Sequence, residues 1–162
     1  MVKSVVNILA LDLATKTGWA SKHNNYFCSG VQDFSLRRGE SPGMKFLRFR
    51  RWLEELTAIS SYDVIIYEQA ISGRTANANV AQTAFGFAAI VQEICAQNAI
   101  EHTTVHASTL KKHATGKGNA KKDAMIIAAK EKWPGIQIID DNHADALYIL
   151  DYALKTLGGA NV

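Results

Sequence analysis

Asp12 closes the apolar run Val5-Val6-Asn7-Ile8-Leu9-Ala10-Leu11, and Glu68 closes Val64-Ile65-Ile66-Tyr67. Both runs are short, β-branched and bounded by polar residues, the pattern of strands buried on both faces of a sheet. A carboxylate at the end of such a strand loses solvation, which costs several kcal/mol unless a positive group compensates. Asp141 and Asp145 stand at the mouth of a predicted C-terminal helix and share one face of it. If these ends converge, the natural compensator is a hard divalent cation, Mg²⁺ or Mn²⁺, for which carboxylate oxygens are suited. Two such ions about 4 Å apart activate a water on one side of a phosphodiester and stabilise the departing 3′ oxygen on the other. Asp12, on the central first strand, is best placed to bridge both ions. Glu68 and Asp145 complete the two shells, and Asp141 or Asn142 supplies a fourth, outer ligand.

Asp141 has a second reading, as a cap favoured by the helix dipole and free amides. His143 is two residues from Asp145, about 200° round a helix, so it faces away unless the first turn is irregular. His102 and His106 fall on one predicted strand, about 13 Å apart, and cannot share an ion.

These acids need a scaffold, and the rest of the sequence supplies one. Gly18–Ser21 and Tyr26–Val31 read as two strands joined at His23-Asn24-Asn25, continuing the first strand as an antiparallel meander. Phe46, Phe49, Leu53 and Leu56 recur at helical spacing within 43–59. A strand at 63–67 leads to a long helix over 77–98, apolar nearly all round, which packs on the sheet or on a second subunit. A strand at 100–105 precedes a short helix with Ser108 as its predicted N-cap. Gly116-Lys117-Gly118-Asn119 breaks that helix, a further one covers 120–132, and Trp133-Pro134-Gly135 ends it. The last helix, about 141–157, is expected to bury Leu147, Leu150, Leu154 and Leu157. The order predicts an α/β fold with a five-stranded mixed sheet, three antiparallel strands then two parallel, flanked by helices.

A length of 162 residues fits a single domain over 1–162, large enough to bury roughly 70% of its extended-chain surface. No apolar stretch approaches the roughly 20 residues of a membrane helix, and no leader pattern opens the chain. Cys28 and Cys95 have no metal-type spacing and read as reduced core thiols of a cytoplasmic protein. The net charge of +3 is strongly segregated. Residues 36–52 carry Arg37, Arg38, Lys45, Arg48, Arg50 and Arg51 against Glu40, a balance of +5. Residues 107–132 carry Lys111, Lys112, Lys117, Lys121, Lys122, Lys130 and Lys132 against Asp123 and Glu131, again +5, which leaves −7 elsewhere. Two basic blocks beside an acidic centre suit a polyanion held next to bound cations; each block taken singly is equally a solvated helix face.

Three segments together resemble the RuvC family of Holliday junction resolvases, within the RNase H-like superfamily. They are Ile8–Ala20 with Asp12 and Gly18-Trp19, Ile66-Tyr67-Glu68-Gln69, and Asn142-His143-Ala144-Asp145-Ala146-Leu147. Lys111 upstream of Gly116-Lys117-Gly118-Asn119-Ala120-Lys121-Lys122 is similar to the family's glycine-containing loop and following lysine. The resemblance implies a homodimeric, Mg²⁺-dependent endonuclease nicking four-way DNA junctions in the cytoplasm of a bacterial or phage-infected cell. It matches Asp12, Glu68 and Asp145 to the catalytic carboxylates, and Lys111 and Lys122 to DNA-facing positions, with Lys117 and Lys121 in the same basic stretch. The fourth acid of the family falls at Asn142 or slips to Asp141. Ile71 stands where bacterial members carry an aromatic residue, and the small polar loop 70–79, with Arg74, implies a different junction contact.

Other readings share part of this pattern. Asp12-Leu13-Ala14-Thr15-Lys16-Thr17-Gly18 also resembles the first phosphate loop of actin-like and sugar-kinase ATPases, but no second copy and no later Asp-x-Gly loop follow. No nucleotide cofactor is therefore expected. A nuclease for flaps or RNA–DNA hybrids would use the same acids and lysines, because phosphate contacts position without specifying. A branched-DNA-binding protein without turnover would gain nothing from clustered buried carboxylates.

Overall fold

The computed structural model describes residues 5–71 and 77–157. Strands β1 (Ile8–Asp12), β2 (Lys16–His23) and β3 (Tyr26–Asp33) form the expected meander. Helix α1 (Gly43–Ile59) leads to β4 (Val64–Glu68), then α2 (Ala78–Asn98) to β5 (Glu101–Val105). Three helices follow: α3 (Ala107–Thr115), α4 (Lys122–Lys132) and α5 (Asp141–Thr156). The sheet order is β3-β2-β1-β4-β5, with β1, β4 and β5 parallel. This is the mixed five-stranded sheet anticipated from the sequence. Among the described residues no helix is long and apolar enough to cross a membrane.

Both faces of the central strands β1 and β4 are covered, and strand parity decides which residue joins which core. Ile8, Ala10 and Ile66 pack with Ala144, Tyr148 and Ile149 of α5 and with α3 and α4. Leu9, Leu11, Ile65 and Tyr67 pack with Phe49 and Leu53 of α1 and Phe87 and Val91 of α2. Phe49 and Phe87 stack at 4.0 Å, with Phe34 edge-on to both. Helices α1 and α2 cross closely enough at Gly86 that a Cβ there would lie 2.2 Å from the Phe46 ring.

The structure corrects several details. Val80 (61% exposed) and Phe85 (45%) lie open on α2, so that helix is apolar on its open side as well but is covered by the core on one face alone. Leu157 is the C-cap of α5 and is exposed, because the last α5 side chains that reach the core are Ala153 and Leu154. Helix α3 starts directly from β5 with His106 as N-cap, since the Leu110 amide already bonds to the His106 carbonyl; Ser108 is inside the first turn. Cys95 is a core thiol, pushed up to about 11 by burial, but Cys28 sits exposed on β3.

Candidate active site

Asp12 and Glu68 end adjacent parallel strands whose register runs Leu11 opposite Tyr67. With Ile8, Ala10 and Ile66 facing α5, strand alternation aims Asp12 and Glu68 at the same face. Asp145 approaches from α5, one turn in from the helix start. The result is convergence: Asp12, Glu68 and Asp145 each offer a carboxylate oxygen, all within 4.8 Å of one another.

Gly18 allows this approach. It is the register partner of Asp12 on β2, and a Cβ on it would lie 1.9 Å from the Asn142 carbonyl oxygen. The first turn of α5 therefore rests directly on the β2 backbone. Asp140 caps that helix, accepting a hydrogen bond from the His143 amide at 2.8 Å. The capping role considered for Asp141 thus belongs to its neighbour. His143 is buried, with Nδ1 accepting from the Ile139 amide and Nε2 2.9 Å from Ser29 Oγ. Burial holds its imidazole below the usual range. It braces α5 against β3 and takes no place in the acidic cluster.

The electrostatics are those of buried, mutually repelling negative charges. Burial, then the charges of Asp145, Glu68 and Asp141, raise Asp12 well above the usual carboxylate range. Asp145 is pushed up to about 7, first by burial and then by Glu68 and Asp141, against the relief of Lys111 and Lys122. Burial raises Glu68 too, partly offset by Lys111. Among the described residues, Asp145 Oδ1 is buried with no hydrogen-bond partner. Three convergent carboxylates and one orphaned oxygen fit a hard divalent cation.

The acids open into a cleft of about 1160 Å³, larger than usual small-molecule pockets. Lys111, Lys121 and Lys122 line it, as do Asp141, Asn142 and the exposed Ile71. Asp141 stays outside the close carboxylate set and pairs with Lys122 at 2.9 Å. Asn142 contributes its backbone against Gly18 as well as its place on the cleft wall. Lys117 is exposed on the α3–α4 turn and is not part of the lining. Arg74 lies outside the described residues. Thr15, Lys16, Gln69 and Asn119 also line the cleft. All four lay within the recognised motifs, but residue type alone assigned them no role.

No protein-family model matches the sequence, and no curated protein matches it in sequence. Solved structures do match. The structure of Thermus thermophilus RuvC aligns over 95% of this chain and 97% of its own, with a TM-score of 0.72 at 14% identity. The fold is that of RuvC. T. thermophilus RuvC in complex with a Holliday junction substrate aligns over 96% and 97%, with a TM-score of 0.74 at 15% identity. The yeast mitochondrial Holliday junction resolvase Ydc2 aligns over 89% of this chain and 75% of its own, with a TM-score of 0.61 at 12% identity. Identities this low leave the RuvC-like scaffold as the shared feature, and the chemistry rests on this chain's own acids.

Proposed function

We propose that this chain is a divalent-metal-dependent endonuclease that cuts four-way or otherwise branched DNA, acting as a homodimer of one nuclease domain per chain with two Mg²⁺ or Mn²⁺ ions in each active site. The observation that carries this reading is the meeting of Asp12, Glu68 and Asp145 within 4.8 Å on a RuvC-like scaffold. A neighbour of the same fold is described in complex with a Holliday junction, which supports branched DNA as the substrate class.

Asp12 would hold both ions from the central strand, with Glu68 and Asp145 completing their shells and Asp141 within the same cleft. When bound, such a pair supplies a water activated at neutral pH and neutralises the departing 3′ oxygen. The chain's own work is positioning. Strands β1 and β4 fix two carboxylates on rigid backbone, and α5 brings the third against them. Lys111, Lys121 and Lys122 line the cleft as cations for the scissile strand's phosphates, holding its register without reading its sequence.

The test is cleavage in Mg²⁺ of a synthetic four-way junction beside a flap, an RNA–DNA hybrid and plain duplex. The junction should be cut fastest. Asp12→Asn, Glu68→Gln and Asp145→Asn should each slow cutting by ~10³-fold or more, with junction binding retained. Equal cutting of all four substrates would remove the resolvase reading and keep the nuclease. Binding without cutting by the wild type, in Mg²⁺ or Mn²⁺, would leave only a DNA-binding protein.

A further inference from the structure

Asp141 sits one helical turn before Asp145 and lines the same cleft, yet it is absent from the carboxylate set that meets within 4.8 Å. Its Oδ2 is 2.9 Å from Lys122 Nζ instead. The two partners differ in exposure. The Asp141 side chain is 23% exposed on the wall formed by α5, whereas that of Lys122 is 80% exposed at the first residue of α4. A largely covered acid thus meets an ammonium that reaches in from solvent on a long four-carbon stem. Exposed pairs of this kind are weak and screened by salt. An arriving backbone phosphate offers Lys122 a competing anion. Its departure would leave a free carboxylate on the residue one turn before Asp145, their Cβ atoms about 5–6 Å apart as for any i,i+4 pair.

We propose that Lys122 is an exchangeable latch on Asp141: it neutralises the fourth carboxylate in DNA-free protein, and a substrate phosphate draws it off, releasing Asp141 to a divalent ion. The inference rests on the metal-dependent reading of the site. The latch spares the DNA-free cleft a fourth uncompensated charge beside Asp12 and Asp145. It also makes cation and DNA binding cooperative, each raising affinity for the other by one shared factor.

The experiment titrates Mn²⁺ alone into the DNA-free full chain by calorimetry, for wild type, Asp12→Asn, Lys122→Ala, Lys122→Gln, Asp141→Asn and the Lys122→Ala/Asp141→Asn double variant. Both Lys122 variants should bind Mn²⁺ roughly two- to fivefold more tightly than wild type, the range set by a weak exposed pair. The double variant should match Asp141→Asn. Equal tightening by Lys122→Ala in the Asp141→Asn background would mean that losing any nearby positive charge suffices, and the latch would be overturned. No change from either Lys122 variant would overturn it as well. Mn²⁺ uptake by wild type that Asp12→Asn abolishes keeps the metal site standing whichever way the latch falls; no uptake by wild type would overturn both.

Discussion

Without a cation, burial and mutual repulsion drive Asp12 and Asp145 toward the protonated form at pH values where an aspartate in water is ionised. Asp145 shifts from an ordinary value of 3.8 to about 7, and Asp12 is raised as well. Between those two values the folded protein binds more protons than the unfolded chain, so stability falls as pH rises through that window. For Asp145 alone the full effect is at most roughly 4 kcal/mol. In EDTA, the melting temperature should therefore be higher at pH 5 than at pH 8, by several degrees for a chain of this size. Mn²⁺ at pH 8 should restore it, because an ion that binds only the native state stabilises by mass action. Asp12→Asn should flatten the slope by removing a charge from the cluster. A melting temperature independent of pH in EDTA would show that the carboxylates are not mutually strained. At this scale the sequence was informative where an acid ended an apolar strand, as at Asp12 and Glu68. It was less so in Asp140-Asp141-Asn142, where three adjacent polar side chains suit a cap equally well. Only the helix's first hydrogen bonds separate the capping Asp140 from the cleft-facing Asp141.

Elements place these residues through two facts about backbone contact. The first is alternation: Ile8, Ala10 and Ile66 toward α5 put Asp12 and Glu68 on that side too, and this was legible once the strands were recognised. The second is the seat of α5 on Gly18, which the sequence carried only as a glycine six residues after Asp12. Nothing in a single glycine says which distant backbone will press on it. Gly18→Ala must push the Asn142 carbonyl aside, an overpacking that typically destabilises by about 1–3 kcal/mol. Because the displaced turn leads to Asp145, Mn²⁺-induced stabilisation should shrink along with the melting temperature. Gly43→Ala makes a control, since a Cβ there would meet only Ser41 Oγ at an ordinary 3.7 Å. Equal melting temperatures and equal Mn²⁺ shifts in the two variants would show that α5 does not depend on this seat. The elements read least well from sequence were those set by coverage, which depends on neighbours. Phe85, Val80 and Leu157 are apolar by type, yet they lie where no layer covers them.

Across the whole molecule, the two basic blocks that looked alike in sequence have different duties. In the first, Arg48 pairs with Glu40 and Arg50 pairs with Glu93 of α2 at 2.8 Å, so these two of its six cations hold α1 in place, and none of the six lines the cleft. In the second, Lys132 joins His113 and Lys155 around Asp151, tying α3 and α4 to α5. Lys111 and Lys121 of that block line the cleft and appear in no ion pair among the described residues. A polyanion releases counterions only for cations that it newly neutralises. Lys121→Ala should therefore weaken junction binding and reduce the slope of log K against log salt by about 0.9, the share of one phosphate contact on duplex DNA. Arg50→Ala should leave that slope unchanged and cost only the small stability of an exposed pair, up to about 1 kcal/mol. Binding isotherms of a four-way junction at several salt concentrations, in Ca²⁺ or EDTA to prevent cutting, measure both slopes. If Arg50→Ala flattens the slope and Lys121→Ala does not, the nucleic acid runs over α1, and the cleft lysines serve the carboxylates alone.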